Sequence, residues 1–119
     1  MRFRIVLAAM AIATPALAQE GSLSGAQIKT AFAGRTVSGT EDGAAYQEKL
    51  LANGSIQGRS SLDGSYTGEW EVDGNEICFY YDDDDDDEDD DEDCSRVILK
   101  GASVTFIDED GSRSRATLR

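Results

Sequence analysis

The chain has 119 residues, with 11 lysines and arginines against 24 aspartates and glutamates, no histidine, and a formal charge of −13. That length suits one domain with a modest core, and that charge disfavours nucleic acid and anionic membrane surfaces as partners. With no histidine, no serine in a nucleophile-elbow context and no phosphate-binding glycine loop, the sequence offers no catalytic constellation and reads as non-enzymatic.

Residues 1–18 have the layout of a secretory signal. Arg2 and Arg4 precede an apolar run over residues 5–13, and Thr14-Pro15-Ala16-Leu17-Ala18 puts small residues where a signal peptidase reads, with cleavage before Gln19. The apolar run is about half of the roughly 20 residues that span a bilayer, which makes it a leader and not an anchor. Residues 19–119 are then a single exported domain, expected to be soluble and monomeric. In an oxidising compartment Cys78 and Cys94 are expected to pair. Closing the 15-residue segment between them would stabilise the domain by roughly 3 kcal/mol through chain entropy.

Next comes a short helix. Ser24 is placed as N-cap, Gln27 closes a capping box, and Leu23 with Ile28 makes a hydrophobic staple. The helix is predicted to run to about Ala33, with Gly34 ending it. Ile28 and Phe32 give it one apolar edge, suited to capping a larger β structure.

From Arg35 onward the punctuation is Asp42-Gly43, Asn53-Gly54, Asp63-Gly64, Asp73-Gly74 and Asp110-Gly111. The first four fall about ten residues apart, as in an antiparallel meander. Between two of them Tyr66, Gly68, Trp70 and Val72 alternate with Thr67, Glu69 and Glu71, so one face is buried and one is wet. The same reading turns Tyr46 with Leu50, Ile77 with Phe79 and Tyr81, Val97 with Leu99, and Val104 with Phe106 inward. The fold class is mainly β, about eight short strands forming a small barrel or a curved sheet. Trp70 is placed as the main core residue. Trp70 with Tyr46, Tyr66, Tyr80 and Tyr81 could otherwise line a ligand pocket, and of these Tyr80, facing opposite to Phe79 and Tyr81, is the better surface contact. Near the C-terminus Arg113, Arg115 and Arg119 share a solvated face opposite Ser114, Ala116 and Leu118, and Asp108-Glu109-Asp110-Gly111 reads as a hairpin turn.

The most distinctive stretch is an uninterrupted acidic run: Asp82, Asp83, Asp84, Asp85, Asp86, Asp87, Glu88, Asp89, Asp90, Asp91, Glu92 and Asp93. Without Arg2 and Arg4 the exported chain carries about −15, and this run supplies −12 of it. Such a row of carboxylates cannot pair into a sheet or enter a core, since every one would need desolvating, so it is expected to form a solvated loop. Neighbouring charges within a Debye length of about 8 Å repel one another and gather cations. Calcium suits these oxygens, but the run lacks the glycine turn, carbonyl position and terminal bidentate glutamate of an ordered calcium loop. Any Ca²⁺ held here should therefore be weak and multiple, and no other cofactor is expected. A basic protein is the other natural partner, and a tolerated low-complexity expansion is the bland reading.

Leu23 to Ile28, Gly34-x-Thr36, Tyr66-x-Gly68-x-Trp70, Cys78-Phe79-x-Tyr81 and Cys94-x-x-Val97 together resemble a family of small uncharacterised periplasmic proteins of proteobacteria. That resemblance implies a periplasmic location, a β-rich fold and a disulfide, and no activity. Ser38-Gly39 followed by Tyr46 also resembles, in stretched form, the loop of membrane-bound-type lysozyme inhibitors, which are small disulfide-bearing eight-stranded barrels. The likeness implies a basic partner such as lysozyme.

Overall fold

In the computed structural model, residues 21–82 and 93–119 are described. The predicted leader and residues 83–92 of the acidic run lie outside the described residues. The meander is β1 (Arg35–Glu41), β2 (Ala44–Leu50), β3 (Ser55–Ser60), β4 (Gly64–Asp73), β5 (Glu76–Tyr81), β6 (Asp93–Lys100), β7 (Ser103–Asp108) and β8 (Arg113–Leu118). Each strand pairs antiparallel with the next, and β8 returns to pair with β1, so the sheet is a closed barrel and not an open curve. Val37 faces Leu118 and Ser38 faces Thr117 in the closing ladder. Thr36 and Arg119 extend it with reciprocal backbone bonds of 3.1 and 2.9 Å. Closure gives each of the eight strands a neighbour on both sides.

The turns explain most of the glycine punctuation. Asp42 and Gly43 both take positive φ, 52° and 82°, between the registered pair Glu41 and Ala44. This is the two-residue geometry whose twist matches its flanking strands. One expectation shifts by a residue: Asp73 pairs with Glu76 as the end of β4, and the turn itself is Gly74-Asn75. The left-handed φ of 63° falls on Gly74, so the register centres the turn one position later than the Asp-Gly dipeptide suggests.

Before β1, the helix α1 (Gly25–Phe32) begins at the expected cap. The Ser24 hydroxyl accepts from the Gln27 N–H at 3.2 Å, and the Gln27 side chain accepts from the Ser24 N–H at 2.8 Å. Ala33 is already extended, so the helix stops at Phe32 and Gly34, at φ 79°, turns the chain into β1. The helix closes one end of the barrel. Leu23 N–H bonds the Val97 carbonyl at 2.8 Å, and Gly25 N–H bonds the Asn75 side chain at 2.9 Å. The Gly74 carbonyl lies so close to Gly25 that a Cβ there would collide with it.

Ile28 and Phe32 enter the barrel fully buried among Val37, Leu50, Ile56, Trp70, Ile77, Val97, Val104 and Leu118. Each large apolar side chain buried in this way contributes about 1.5–3 kcal/mol. Trp70 is a core residue as expected, and its indole N–H donates to the Leu51 carbonyl at 2.8 Å. On β8, Ala116 and Leu118 are buried while Arg113 and Arg115, like Arg119 just beyond it, are exposed.

Cys78 and Cys94 are disulfide-bonded directly across the β5–β6 ladder, with Cα atoms 4.0 Å apart. Among the described residues no helix is long and apolar enough to cross a membrane. Replacing both cysteines by serine is expected to lower the stability by roughly 3 kcal/mol, read as a shifted midpoint in urea denaturation.

Candidate functional site

The end of the barrel opposite α1 is built from different chemistry. There the inward positions of β2 run Tyr46, Glu48, Leu50, and Glu48 is only 7% exposed. A glutamate is rarely buried unless it is bonded, and this one is held by two phenols. Tyr66 Oη donates to Glu48 Oε2 at 2.7 Å; Tyr81 Oη lies 2.9 Å from Oε2 and 3.1 Å from Oε1. The two tyrosine rings meet edge-on at 5.8 Å, and Tyr81 stacks on Phe79 at 6.4 Å.

Three glycines make room for three tyrosines. Register sets Gly39 opposite Tyr46, Gly58 opposite Tyr66 and Gly68 opposite Tyr81. A Cβ on Gly39 would sit 3.0 Å from the Tyr46 hydroxyl, and one on Gly58 would run into the Tyr66 ring. At Gly68 it would meet the Tyr80 carbonyl, and Tyr81 as well. Each ring therefore lies over a bare stretch of the neighbouring strand and covers the glycine backbone there.

The resulting cavity, about 300 Å³, is lined by Tyr46, Glu48, Phe79, Tyr81, Ser95 and Asp108 among others. It opens outward into a wider mouth where Glu41, Asp42, Asp63, Asp82 and Asp93 surround Glu48 and the tyrosines. Ser95 Oγ donates to Asp108 at 2.9 Å on the opposite wall. Trp70 packs within the apolar core cluster, whereas this cavity lies at the polar end.

Burial pushes the Glu48 carboxyl above its ordinary value; the two phenol bonds oppose this and the nearby Glu41 charge adds to it. Burial, followed by the Glu48 and Glu41 charges, raises Tyr46 to about 12. Tyr66 and Tyr81 are also raised, first by burial and then by Glu48. At neutral pH the Tyr66 and Tyr81 phenols therefore keep the protons they donate to Glu48.

Of the acidic run, Asp82 and Asp93 are described. Asp82 is tied to β4 by its N–H to the Thr67 carbonyl at 3.1 Å and by Thr67 Oγ1 to its carboxylate at 2.7 Å. Asp93 is registered opposite Phe79, one residue before Cys94. Both ends of the run thus stand on the rim, with Asp93 next to the disulfide. Asp83, Asp84, Asp85, Asp86, Asp87, Glu88, Asp89, Asp90, Asp91 and Glu92 lie outside the described residues. Among the described residues no group of three carboxylates or thiolates is arranged to hold a metal ion.

Tyr46, Tyr66 and Tyr81 gather at the site as the sequence suggests. Tyr80 faces outward, donating to Glu71 at 2.8 Å, while Tyr81, 45% exposed, is the ring presented at the mouth. Sequence reasoning missed Glu48, although the alternation that turns Tyr46 and Leu50 inward places it between them. It also missed the glycine partners, which only register reveals. In comparisons with known proteins, no family model, no curated protein and no solved structure matches the chain.

Because folding raises the Glu48 pKa, the folded state binds its proton more tightly than the unfolded chain does. Stability from this group is therefore greatest at low pH and falls as the pH rises through the raised value. Glu48→Gln, read against the wild type by urea denaturation, should gain relative stability above the ordinary glutamate value of 4.5, with the difference closing below it. Gly58→Ala should cost roughly 1–3 kcal/mol by overpacking against Tyr66, seen as a lower thermal midpoint.

Proposed function

We propose that this protein is an exported, non-enzymatic β-barrel of the periplasm that binds a basic protein through its acidic open end. The observation that carries the reading is the placement of charge. Glu41, Asp42, Asp63, Asp82 and Asp93 ring one mouth, and the acidic run leaves and re-enters the barrel at that rim. The opposite end is closed by α1, so the end that stays open is the one with the acidic rim. A field concentrated in this way accelerates encounter with a basic partner and rejects acidic ones. The leader-like N-terminus and the disulfide support an exported setting, and the resemblance to lysozyme inhibitors points to the same class of partner. Loose calcium binding along residues 82–93 is a companion reading, supported by twelve consecutive carboxylates whose ends are fixed on the rim.

Lysozyme serves as the basic probe. Calorimetric titration at low salt should show binding that weakens steeply as ionic strength rises and the Debye length shrinks. A variant with residues 83–92 replaced by glycine and serine should bind about tenfold or more weakly. Absence of heat from the wild-type protein at low salt would overturn the proposal. Calcium titrated into the same two proteins tests the companion reading, which fails if their heats are equal.

A further inference from the structure

The polar cavity itself carries an inference beyond the charged rim. Three hydroxyls there have their protons committed to carboxylates: Tyr66 and Tyr81 donate to Glu48, and Ser95 donates to Asp108. Their oxygen lone pairs and the carboxylates of Glu41, Glu48, Asp93 and Asp108 stand around the cavity and its mouth. A carboxylate has about four acceptor sites, and Glu48 receives only the two phenols. No lysine or arginine among the described residues forms an ion pair with it, although Arg115 contributes to the cavity wall. A nine-tenths buried carboxylate without a counter-charge is costly, and aromatic faces beside it add attraction for a cation.

We propose that this cavity is a seat for one organic cation, an alkyl ammonium or guanidinium, which donates to Glu48 and packs its alkyl stem against Tyr46, Tyr81 and Phe79. The lining is acceptor-rich, which suits a group that only donates. The rings supply the apolar wall, and the glycines opposite them set its width. The proposal rests on the reading of the open end as a face for cationic partners and adds the point at which a single cationic group is held. Two sources present this chemistry: a free small amine or guanidine, and a lysine or arginine side chain of a bound basic protein.

The arms of the experiment separate them. Butylamine and butylguanidine are titrated into the purified protein, with butanol and butyrate as uncharged and anionic controls, and the amide resonances of Gly39, Gly58 and Gly68 are followed by NMR. Saturable shifts from the cations alone, weakened about tenfold or more in Glu48→Gln, are expected for a free ligand. If the small cations give none but lysozyme binds the Glu48→Gln protein about tenfold more weakly, the seat takes a side chain presented by a protein. Ser114→Phe, which fills the cavity from its rim and leaves the Glu48 bonds in place, should reproduce either loss and serves if Glu48→Gln does not fold. The variant lacking the acidic run separates this proposal from its premise: small-cation shifts should persist there even where lysozyme binding is lost. Small cations that bind while lysozyme never does would sink the basic-protein reading and leave the seat standing. Saturable shifts from butanol equal to those from the cations would overturn the seat. So would cation shifts or lysozyme affinities unchanged by both Glu48→Gln and Ser114→Phe, or no response to any of these probes in the wild type.

Discussion

Closure of β8 onto β1 is the constraint from which the rest of the molecule follows. Eight strands enclose an interior just wide enough for side chains to fill, so the choice of inward residues decides what the barrel is at each level. At the α1 end, Phe32, Ile28, Trp70, Leu50 and Ile77 fill it, and the helix seals it. At the other end three of the ladders set a large inward residue against a glycine. Tyr46, Tyr66 and Tyr81 project over Gly39, Gly58 and Gly68, and the space that remains is polar. One sheet therefore carries a solid apolar half and a hollow acidic half, with no change of topology between them.

The energetic character of the two halves differs accordingly. The apolar half gains stability from area removed from water. The polar half carries a cost, because Glu48 is buried and its carboxyl is pushed toward its protonated form. Two phenol donors lessen that cost without cancelling it, and Glu41 adds repulsion. Folding strength invested near α1 is what allows such a group to persist at the mouth, as is common where a fold keeps a strained or charged site for use.

Much of the architecture was legible in the sequence because its signals are local. The capping box at Ser24 and Gln27, the turn at Asp42-Gly43 and the alternation through Tyr66, Gly68, Trp70 and Val72 each follow from a few adjacent residues. The disulfide follows from having only two cysteines. What escaped was non-local. Gly74-Asn75 forms the turn in place of Asp73-Gly74 because register, and not the dipeptide, decides which residue needs positive φ. Barrel closure depends on pairing between strands at opposite ends of the meander, and the glycine-over-tyrosine contacts depend on the same registers. Glu48 was hidden by its own chemistry. A charged residue on an alternating strand is ordinarily read as solvent-facing, and only two phenols distant in sequence make it tolerable inside.

The ladders also divide the barrel into two contiguous pieces of chain. Among the described residues the β1–β8 ladder has two registered pairs and the β5–β6 ladder three, fewer than any other ladder. They separate β1 to β5, before the acidic run, from β6 to β8, after it. Cys78–Cys94 lies within one of these two seams. The peptide link through residues 83–92 is therefore not the only covalent tie between the pieces. A protease that cut this run would leave both products joined, and the nicked barrel would remain one molecule until the disulfide was reduced.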